Sequence, residues 1–476
     1  MLKSFINGTL WVLNMQNMII SSEFLQQFDT PGPRYTSYPT ADRFVEAFGE
    51  PQYLQALQER RLSPRAASTP LSLYVHLPFC ESLCYYCACN KIITGNYQRA
   101  LDYLDDLQRE VDLLMPHLGE GQTVSQVHLG GGTPTFYKDR DLQRLVRLLQ
   151  TVFHWQVGGE FAVEVDPRTV DEERLNSLWS MGFNRVSLGV QDFDPQVQKA
   201  VNRVQTVDEI SRLIQNAKGI GFGSINLDLI YGLPLQTLAS WERTLHSVLA
   251  LRPDRLAMYG YAHLPARFKP QRHIALDSLP SAKDKTGMLS LALQTLQDAG
   301  YVYIGMDHFA LPNDSLSVAK RQGRLHRNFQ GYSTRPDGDL IGLGVSAIGS
   351  MGASYVQNAR NLDEYSDMLQ HGRLPVVKGL SLTRDDLVRR SIIMALMCQG
   401  RVDLREIEQS HLLDFNTYFA RELIQFQDFV LQGMVTLNAD AIEVTPVGWY
   451  LVRAIAMVFD KYAQADGQRA HFSKIL

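Results

Sequence analysis

Apolar and polar positions alternate in two different rhythms through the middle of the chain. Short β-rich runs such as LSLYVHL at 71–77 are each followed by a longer amphipathic stretch. In the first such stretch Leu104, Leu107 and Val111 recur at helical spacing. Strands that alternate with helices in this way indicate a parallel sheet. The predicted strands are 71–77, 124–130, 160–165, 184–190, 224–230 and 254–260, and the predicted helices are 96–115, 139–153, 171–181, 207–219, 238–251 and 281–299.

The number of strand–helix units bears on the shape of this sheet. Six units favour a closed or nearly closed barrel over an open sheet, although the pattern alone leaves closure undecided. Apolar runs at 301–306 and 340–349 extend this part of the chain to about residue 365. The predicted fold class is therefore α/β, with a partial (β/α) barrel of the TIM type.

The two ends of the chain have different patterns. The segment 29–44 is rich in Pro, Thr and Ser, which predicts an ordered but irregular arm, and 61–70 is typical of a linker. From about residue 380 the pattern is mostly helical, with a hairpin predicted at 434–445 and a last helix at 446–463. The predicted division is an N-terminal arm and linker at 1–70, a barrel domain at 71–365 and a mostly helical, winged-helix-like domain at 366–476.

Composition narrows the class of protein. Hydrophobic residues make up 45% and charged residues 20% of 476 residues, and the net charge is −4. These values are typical of a globular protein and argue against general binding to nucleic acid or anionic membranes. We expect no membrane span, because no stretch approaches the ~18 apolar residues that one needs. The first residues lack the pattern of a signal peptide, so we expect a reducing, cytoplasmic compartment in which thiols stay free or bind metal.

The cysteines are concentrated in one short segment. Four of the five lie in CESLCYYCACN at 80–90, with the spacing Cys80-x3-Cys84-x2-Cys87 followed by Cys89. Zinc sites usually use two separated pairs of ligands, whereas iron–sulfur clusters are held by cysteines packed along one loop. The spacing favours an iron–sulfur cluster and leaves a zinc-binding interaction protein as the non-redox alternative.

The C-x3-C-x2-C spacing after a first barrel strand resembles the radical S-adenosylmethionine (SAM) superfamily. The resemblance implies a 4Fe–4S cluster held by Cys80, Cys84 and Cys87, with one iron left open for SAM. If Cys89 also bound, the cluster would be closed like that of a ferredoxin and SAM could not chelate it. We therefore assign Cys89 as a non-ligand near the active site.

A closer resemblance is to the oxygen-independent coproporphyrinogen III oxidase family. The stretches that carry it are GPRYTSYPT (32–40), YVHLPFCESLCYYCACNK (74–91), HLGGGTPT (128–135), VEVDPR (163–168), GVQDF (189–193), NLDLIYGLP (226–234), YAHLP (261–265), GMDHFA (305–310) and LHRNFQGYST (325–334). The resemblance implies anaerobic oxidative decarboxylation of two propionates of coproporphyrinogen III to vinyl groups, giving protoporphyrinogen IX in haem biosynthesis. It also implies two SAM molecules, a 5′-deoxyadenosyl radical that abstracts hydrogen, an electron donor and an electron acceptor. We expect a monomer.

The same resemblance implies roles for individual residues. The glycine-rich turn contacts the methionyl part of SAM, Glu164 faces its ribose, and three residues hold the second SAM. Other positions match SAM contacts near the cluster or apolar positions of the SAM pocket, and the LHRNFQGY stretch belongs to the active site together with Cys89. The residues are Gly131, Gly132 and Thr133 in the turn; Gln191, Arg203 and Asp228 for the second SAM; Tyr74 and Tyr86 near the cluster; Ala262 and Ile348 in the apolar pocket; and Phe329 and Gln330 in the active site.

Several of these positions also have an ordinary structural explanation. The glycines fit a simple turn, and Glu164 and Asp228 fit internal ion pairs, since a buried carboxylate is costly unless it is paired or ligand-bound. Arg34 is a candidate for pairing with a substrate carboxylate, and a packed arm is its alternative. A barrel places its chemistry at the carboxyl ends of its strands, where the six strand ends carry most of the candidates.

Two other functions on the same scaffold remain as alternatives to the oxidase. Related haem chaperones share the cluster loop but lack the LHRNFQGY stretch and the fourth cysteine, and a haem-degrading radical SAM methyltransferase is a further relative. Haem binding without turnover would favour a chaperone. Methyl transfer with opening of the haem ring would favour the methyltransferase.

Overall fold

A computed structural model describes residues 31–64, 68–335 and 338–465. The first residues of the chain, in which we expect no signal peptide, lie outside these described residues. Within them, no helix is long and apolar enough to cross a membrane.

The centre of the molecule is a twelve-stranded sheet in the order β16-β15-β14-β13-β1-β4-β5-β6-β7-β8-β10-β9. Neighbours from β13 to β8 pair in parallel, as the strand–helix pattern predicts. The strands on either side of this group pair antiparallel. In the described part of the chain no pairing joins β9 to β16, so the barrel is open. Two short pairs, β2 with β3 and β11 with β12, lie outside this sheet.

The strands are β1 Leu71–Leu77, β2 Phe79–Cys80, β3 Ile92–Ile93, β4 Gln122–Gly131, β5 Phe153–Val165, β6 Arg185–Gln191, β7 Ser224–Tyr231, β8 Arg255–Gly260, β9 Val302–Gly305, β10 His308–Ala310, β11 His326–Asn328, β12 Gly331–Ser333, β13 Leu340–Leu343, β14 Ile348–Met351, β15 Ser354–Asn358, β16 Val376–Ser381, β17 Arg401–Asp403, β18 Val435–Leu437 and β19 Ala441–Val444. The apolar run predicted at 340–349 is therefore a hairpin of two strands. The domain division at residue 365 stays a prediction, and the main sheet continues to Ser381.

The α-helices are α1 Glu50–Leu62, α2 Gln98–Leu118, α3 Asp139–Val152, α4 Glu172–Ser180, α5 Pro195–Ala200, α6 Val207–Ile220, α7 Leu238–Leu251, α8 Ala282–Asp298, α9 Ser315–Arg321, α10 Leu362–Gln370, α11 Arg384–Gln399, α12 Leu404–His411, α13 Phe415–Tyr418, α14 Ala420–Leu431, α15 Val452–Met457 and α16 Lys461–Ala465. Local signals fix many of their ends. In α6, Thr206 and Glu209 form a capping box and Gly221 adopts the left-handed conformation that ends the helix.

The N-terminal arm packs between the sheet and the C-terminal part of the chain. Val45 bridges to Gly379 of β16, and the Tyr35 hydroxyl donates to Asp460 at 2.9 Å. Tyr35 is fully buried. The arm is thus part of the packed structure, and it brings the neighbouring Arg34 into the interior.

The C-terminal part is mostly helical, as predicted. The predicted hairpin is present as β18 and β19, and β17 adds a third antiparallel strand. The single helix predicted at 446–463 is wrong, because the segment is a 3-10 turn followed by α15 and α16. The side chain of Asp460 accepts the Tyr462 and Ala463 N–H groups at 2.9 and 3.0 Å, which starts α16 as a separate helix.

Candidate active site

The cysteine loop leaves β2 and returns at β3, beyond the carboxyl end of β1. Backbone bonds join it to the turn after β4: the Gly132 N–H donates to the Leu77 carbonyl at 2.8 Å and the Thr133 N–H to the Phe79 carbonyl at 2.9 Å. The start of the loop is therefore held to the turn after β4 by main-chain contacts just before its first cysteine.

The glycine-rich turn has a packing reason for two of its glycines. Gly131 has φ +113°, and a Cβ there would lie 2.5 Å from the His76 ring. A Cβ on Gly132 would lie 2.6 Å from the carbonyl carbon of Pro78. Glycine is thus required for the close approach of β4 to the cysteine loop. The SAM contacts expected of Gly131, Gly132 and Thr133 stay predictions.

The thiols lie in different electrostatic surroundings. Burial raises the pKa of Cys80 to about 11, and the Thr133 hydroxyl, 3.4 Å from its sulfur, opposes that rise. The pKa of Cys87 is lowered to about 6 by a hydrogen bond from Cys89 and by Lys91, although burial opposes this. Burial and the same bond raise the pKa of Cys89. Of Cys80, Cys87 and Cys89, Cys87 is therefore the thiol most ready to ionise, and a thiolate is the form that binds metal.

Two guanidinium groups lie against the buried sulfur of Cys84. Arg168 Nη2 is 3.8 Å and Arg203 Nη1 is 3.7 Å from Cys84 Sγ. Both arginines also pair with Asp166, each at 2.7 Å. Arg203, expected at the second SAM, thus reaches the cluster loop, and its Nη2 donates to the Gly189 carbonyl.

Glu164 lies near the end of β5 and is bound from two sides. His128 Nε2 is 2.9 Å from its Oε1, and the Gly131 N–H donates to its Oε2 at 3.2 Å. Burial raises the pKa of Glu164, but His128 and the Gly131 N–H outweigh it and lower the pKa below its usual range. The side chain is 42% exposed, toward the interior cavity described below, so an ionised carboxylate faces a space that a ligand can enter.

Asp228 on β7 has a different environment. It accepts hydrogen bonds from Ser187 Oγ at 3.0 Å and from Asn226 Nδ2 at 2.8 Å. Burial and the charge of Glu164 raise its pKa to about 6. In the described part of the chain no Lys or Arg forms an ion pair with Asp228, so the internal ion pair considered from sequence is absent at this position.

Gln191 lies close to Asp228 because of the strand register. Gly189, two residues earlier on β6, pairs with Asp228 on β7. Gln191 ends the strand with φ 70°, a left-handed conformation that is costly for a residue with a side chain. A Cβ on Gly189 would meet both the Gln191 amide and the Arg203 guanidinium at 2.9 Å. The three residues expected at the second SAM therefore surround one glycine, although their role there stays a prediction.

Tyr86 and Ala262 are both hydrogen-bonded to Gln271, a residue that the sequence analysis did not identify. Gln271 is 1% exposed, and its Nε2 is 3.2 Å from both the Tyr86 and the Ala262 carbonyl oxygens. Its Oε1 accepts the Leu264 N–H. One buried amide thus connects the cysteine loop to the segment that follows β8.

Phe329 and Gln330 form the turn between β11 and β12. Gln330 Nε2 donates to the Leu73 carbonyl at 3.2 Å, which joins this turn to β1. Phe329 packs edge-on against Tyr355 at 5.8 Å, in an apolar group that also contains Ile348. Ile348 was expected in the SAM pocket, and here it packs against the same buried cluster as Phe329 on the substrate-side stretch.

Tyr74 on β1 connects the sheet to the cysteine loop. Its hydroxyl shares a hydrogen bond with His76 Nδ1 at 3.1 Å, and His76 Nε2 lies 2.8 Å from the Asn90 carbonyl oxygen. Its ring stacks on His128 at 5.8 Å. Tyr74 therefore lies between the loop and the residue that binds Glu164.

A cavity of about 160 Å³ lies inside the open barrel and joins these groups. Glu164, Asp228 and His128 line one part of it, and Gln330 lines another. Among the residues expected from sequence, Glu164, Asp228 and Gln330 line this interior space, and Cys80, Cys84, Tyr86, Cys87 and Cys89 lie on the cysteine loop.

Comparisons with known proteins agree with this geometry. The Radical SAM superfamily model matches residues 74–248 and the HemN C-terminal domain model matches residues 382–451. A curated Pseudomonas aeruginosa protein named oxygen-independent coproporphyrinogen III oxidase is 46% identical over 457 residues, 96% of this chain and 98% of that protein. The Escherichia coli protein of the same name is 44% identical over 98% of this chain and 100% of its own length. The chain belongs to the oxygen-independent coproporphyrinogen III oxidase family.

A solved structure supports the fold of this oxidase family member. The structure described as coproporphyrinogen III oxidase (HemN) from Escherichia coli, a radical SAM enzyme, matches with a TM-score of 0.86 and 46% identity, covering 90% of this chain and 97% of that one. The predicted family and α/β fold class are confirmed, and so are the 4Fe–4S cluster and SAM as cofactors.

The residues of this family member fit a cluster at the loop. Cys80, Cys84 and Cys87 lie on one loop, and the other two thiols act electrostatically on Cys80 and raise its pKa. The guanidinium groups at Cys84 place positive charge where a cluster with anionic ligands would lie. Within the described ranges, no three His, Cys, Asp or Glu side chains converge as ligands of a single ion. The assignment of Cys80, Cys84 and Cys87 as the residues that would hold the cluster stays a prediction.

Proposed function

We propose that this protein catalyses the oxygen-independent oxidation of coproporphyrinogen III to protoporphyrinogen IX. The observation that carries the proposal is its 46% identity to a curated oxidase of that name over 96% of the chain. The fourth cysteine and the Phe329–Gln330 turn, beside the same cavity as Glu164, favour the oxidase over the chaperone and the methyltransferase.

Each of two propionate side chains becomes a vinyl group by losing one hydrogen atom, one CO2 and one electron. When bound, the 4Fe–4S cluster and SAM would supply the radical chemistry that removes the hydrogen from the propionate β-carbon. An electron donor and an electron acceptor, both separate from this chain, complete the electron balance. The chemistry is the cofactors' own, so the chain contributes position and charge.

The side chains of the chain position SAM and the substrate. Glu164, kept ionised by His128, accepts hydrogen bonds from the ribose hydroxyls of SAM. Asp228, with Gln191 and Arg203, binds a second SAM. Phe329 and Gln330 lie on the substrate side, where the amide of Gln330 is fixed by the Leu73 carbonyl and the ring of Phe329 packs edge-on against Tyr355. The other SAM contacts are assigned to Tyr74, Tyr86, Gly131, Gly132, Thr133, Ala262 and Ile348.

We also propose a cytoplasmic location and a monomeric state. The thiols of Cys80, Cys84, Cys87 and Cys89 are free, and they need a reducing compartment to remain so.

The test is an anaerobic incubation of reconstituted, reduced protein with SAM and coproporphyrinogen III. We expect protoporphyrinogen IX and two CO2 per substrate, because two propionates are converted. Haem binding without turnover would support the chaperone, and methyl transfer with ring opening would support the methyltransferase.

Two variants test the substrate-side turn. Gln330→Ala and Phe329→Ala should lower the rate of CO2 release about tenfold or more while leaving iron content unchanged, if each loses a contact of about 1.4 kcal/mol or more. Gln322→Ala, an exposed glutamine nearby, is the control. Normal rates in both variants would remove the assignment of this turn to the active site.

A further inference from the structure

Three arginines from three parts of the chain meet beside the interior cavity. Arg34 comes from the N-terminal arm, Arg327 from β11 and Arg453 from α15. Burial and the charge of Arg327 lower the pKa of Arg34. Burial and these two arginines also lower the pKa of His308 to about 3. Burial and the charges of Arg34 and Arg327 also lower the pKa of Arg453, so the three arginines and His308 share one region of positive potential.

Arg34 and Arg453 each have a contact in this region. Asp307 forms an ion pair with Arg34. Arg453 donates to the carbonyl oxygens of Gly32 and Pro33, which fixes the arm so that Arg34 points inward. Neither contact supplies an anion to Arg327.

Arg327 is buried with unused hydrogen-bond donors. The residue is 4% exposed, and its Nε and Nη1 have no hydrogen-bond partner among the described residues. Its guanidinium lies 4.7 Å from the centre of the Tyr332 ring. A ring face offsets only part of the cost of burying an unpaired charge. We therefore expect the buried guanidinium of Arg327 to pair with an anion when a ligand is bound.

The cavity connects this arginine group to the active site. Tyr259, His308 and Tyr332 line the same cavity as Glu164 and Asp228. Arg34 lies over Tyr259 at 5.5 Å, as Arg327 lies over Tyr332. The cavity is thus lined by the carboxylates of Glu164 and Asp228, and the guanidinium groups of Arg34 and Arg327 lie against two of its tyrosines.

Access is available at two of these side chains. The side chain of Arg34 is 35% exposed. Arg327 borders a second cavity of about 490 Å³ between β11 and α11, which Asp403 and Glu406 also line. A carboxylate is the anion whose geometry and charge suit a guanidinium donor.

We propose that Arg327, together with Arg34, binds a carboxylate of the substrate and thereby sets which end of the tetracarboxylic ligand faces the cofactors. This assignment rests on the proposed function, which supplies a ligand with several carboxylates. Arg327 is a binding residue, and the reaction at the propionate β-carbon takes place at another side chain of the same molecule.

The test compares two ligands on folded, full-length protein. Binding of coproporphyrin III and of its tetramethyl ester is followed by porphyrin fluorescence, since the ester keeps the ring and removes the charges. Arg327→Met should bind the acid about 10-fold to 100-fold more weakly, the range for lost hydrogen bonds to a charged group, and bind the ester as the wild type does. Arg324→Met, exposed on the same segment, is the matched control.

Folding is checked separately. Since Arg327 is unpaired without ligand, Arg327→Met should melt at the wild-type temperature or above it. If this variant does not fold, Arg327→Lys decides, because it keeps the charge and loses the guanidinium geometry: a selective loss of affinity for the acid supports the proposal, and wild-type affinity overturns it.

An equal change for acid and ester in Arg327→Met, or no change for either, overturns the carboxylate site. Failure of the proposed function is recognised independently by wild-type protein that does not convert coproporphyrinogen III. A wild type that turns over the substrate, paired with an unchanged Arg327→Met, overturns only this inference.

Discussion

The His128 imidazole and the Glu164 carboxylate share a hydrogen bond, with 2.9 Å between Nε2 and Oε1. The two residues lie on the neighbouring strands β4 and β5, at the wall of the interior cavity. Burial alone would favour a neutral Glu164, but His128 and the Gly131 N–H lower its pKa below the usual range. The pair therefore keeps a charged acceptor inside the barrel at neutral pH.

Replacing His128 should change the pH range in which SAM binds. In the wild type, Glu164 is ionised above its lowered pKa, so affinity for SAM is present at neutral pH and is lost only as the pH falls through that value. His128→Gln removes the charge and the imidazole bond, so the pKa of Glu164 rises and the loss begins at a higher pH. Equilibrium dialysis with SAM from mildly acidic to neutral pH measures the shift.

The exposed His154 supplies the control for this experiment. His154→Gln should leave the pH profile unchanged. A wild-type profile in His128→Gln would mean that Glu164 does not depend on the imidazole for its ionisation, or does not contact SAM.

Asp228 should separate SAM binding from cluster binding. Its pKa is about 6, so its carboxylate is protonated as the pH falls through that value. Asp228→Ala should weaken SAM binding about tenfold or more, as expected for lost bonds to a charged acceptor, and should keep the iron content. Loss of iron together with affinity would identify a structural carboxylate. Glu164→Gln removes the neighbouring negative charge and should move the pH midpoint of Asp228 lower.

Local signals account for the parts of the fold that sequence predicted well. Strand 71–77 and helix 238–251 were predicted with the bounds that the structure has. In the helix, the apolar spacing sets the buried face and the Thr237–Ser240 capping box sets the start. Signals of this kind lie within a few residues of the element that they define.

Long-range contacts explain what the sequence did not predict. β5 was expected to begin at residue 160 and begins at Phe153, because residues 153–155 pair with residues 122–124 of β4. Gln271 lies in a short 3-10 turn and contacts Tyr86, 185 positions away in the chain. The unpaired donors of Arg327 depend likewise on how three segments pack. No periodicity or spacing could have indicated these contacts.

Gln271 should act as a positioning residue for the SAM side of the loop. Gln271→Ala loses the bonds to the Tyr86 and Ala262 carbonyls and leaves a buried cavity, so we expect the KM for SAM to rise about tenfold, the equivalent of ~1.4 kcal/mol, with iron content retained. Gln271→Glu places a carboxylate against two carbonyl oxygens and should be worse than Ala. Gln294→Ala, on the exposed side of α8, is the control. Equal KM values in all three variants would contradict the role.

The last prediction concerns the two cysteines that end the loop. The hydrogen bond between them lowers the pKa of Cys87 to about 6 and contributes to the raised pKa of Cys89, so Cys87 carries the charge and Cys89 donates. This polarity agrees with a ligand at Cys87 and a non-ligand at Cys89, because a metal binds the thiolate. Cys89→Ser keeps a donor and should retain the wild-type iron and sulfide content, whereas Cys84→Ser should lose the cluster. Turnover of Cys89→Ser then distinguishes a thiol that takes part in the reaction from one that only packs: a strong loss with an intact cluster supports the first, and near-normal turnover supports the second. Loss of iron in Cys89→Ser to the level of Cys84→Ser would overturn the three-ligand assignment, since a fourth cysteine ligand would leave no open iron for SAM.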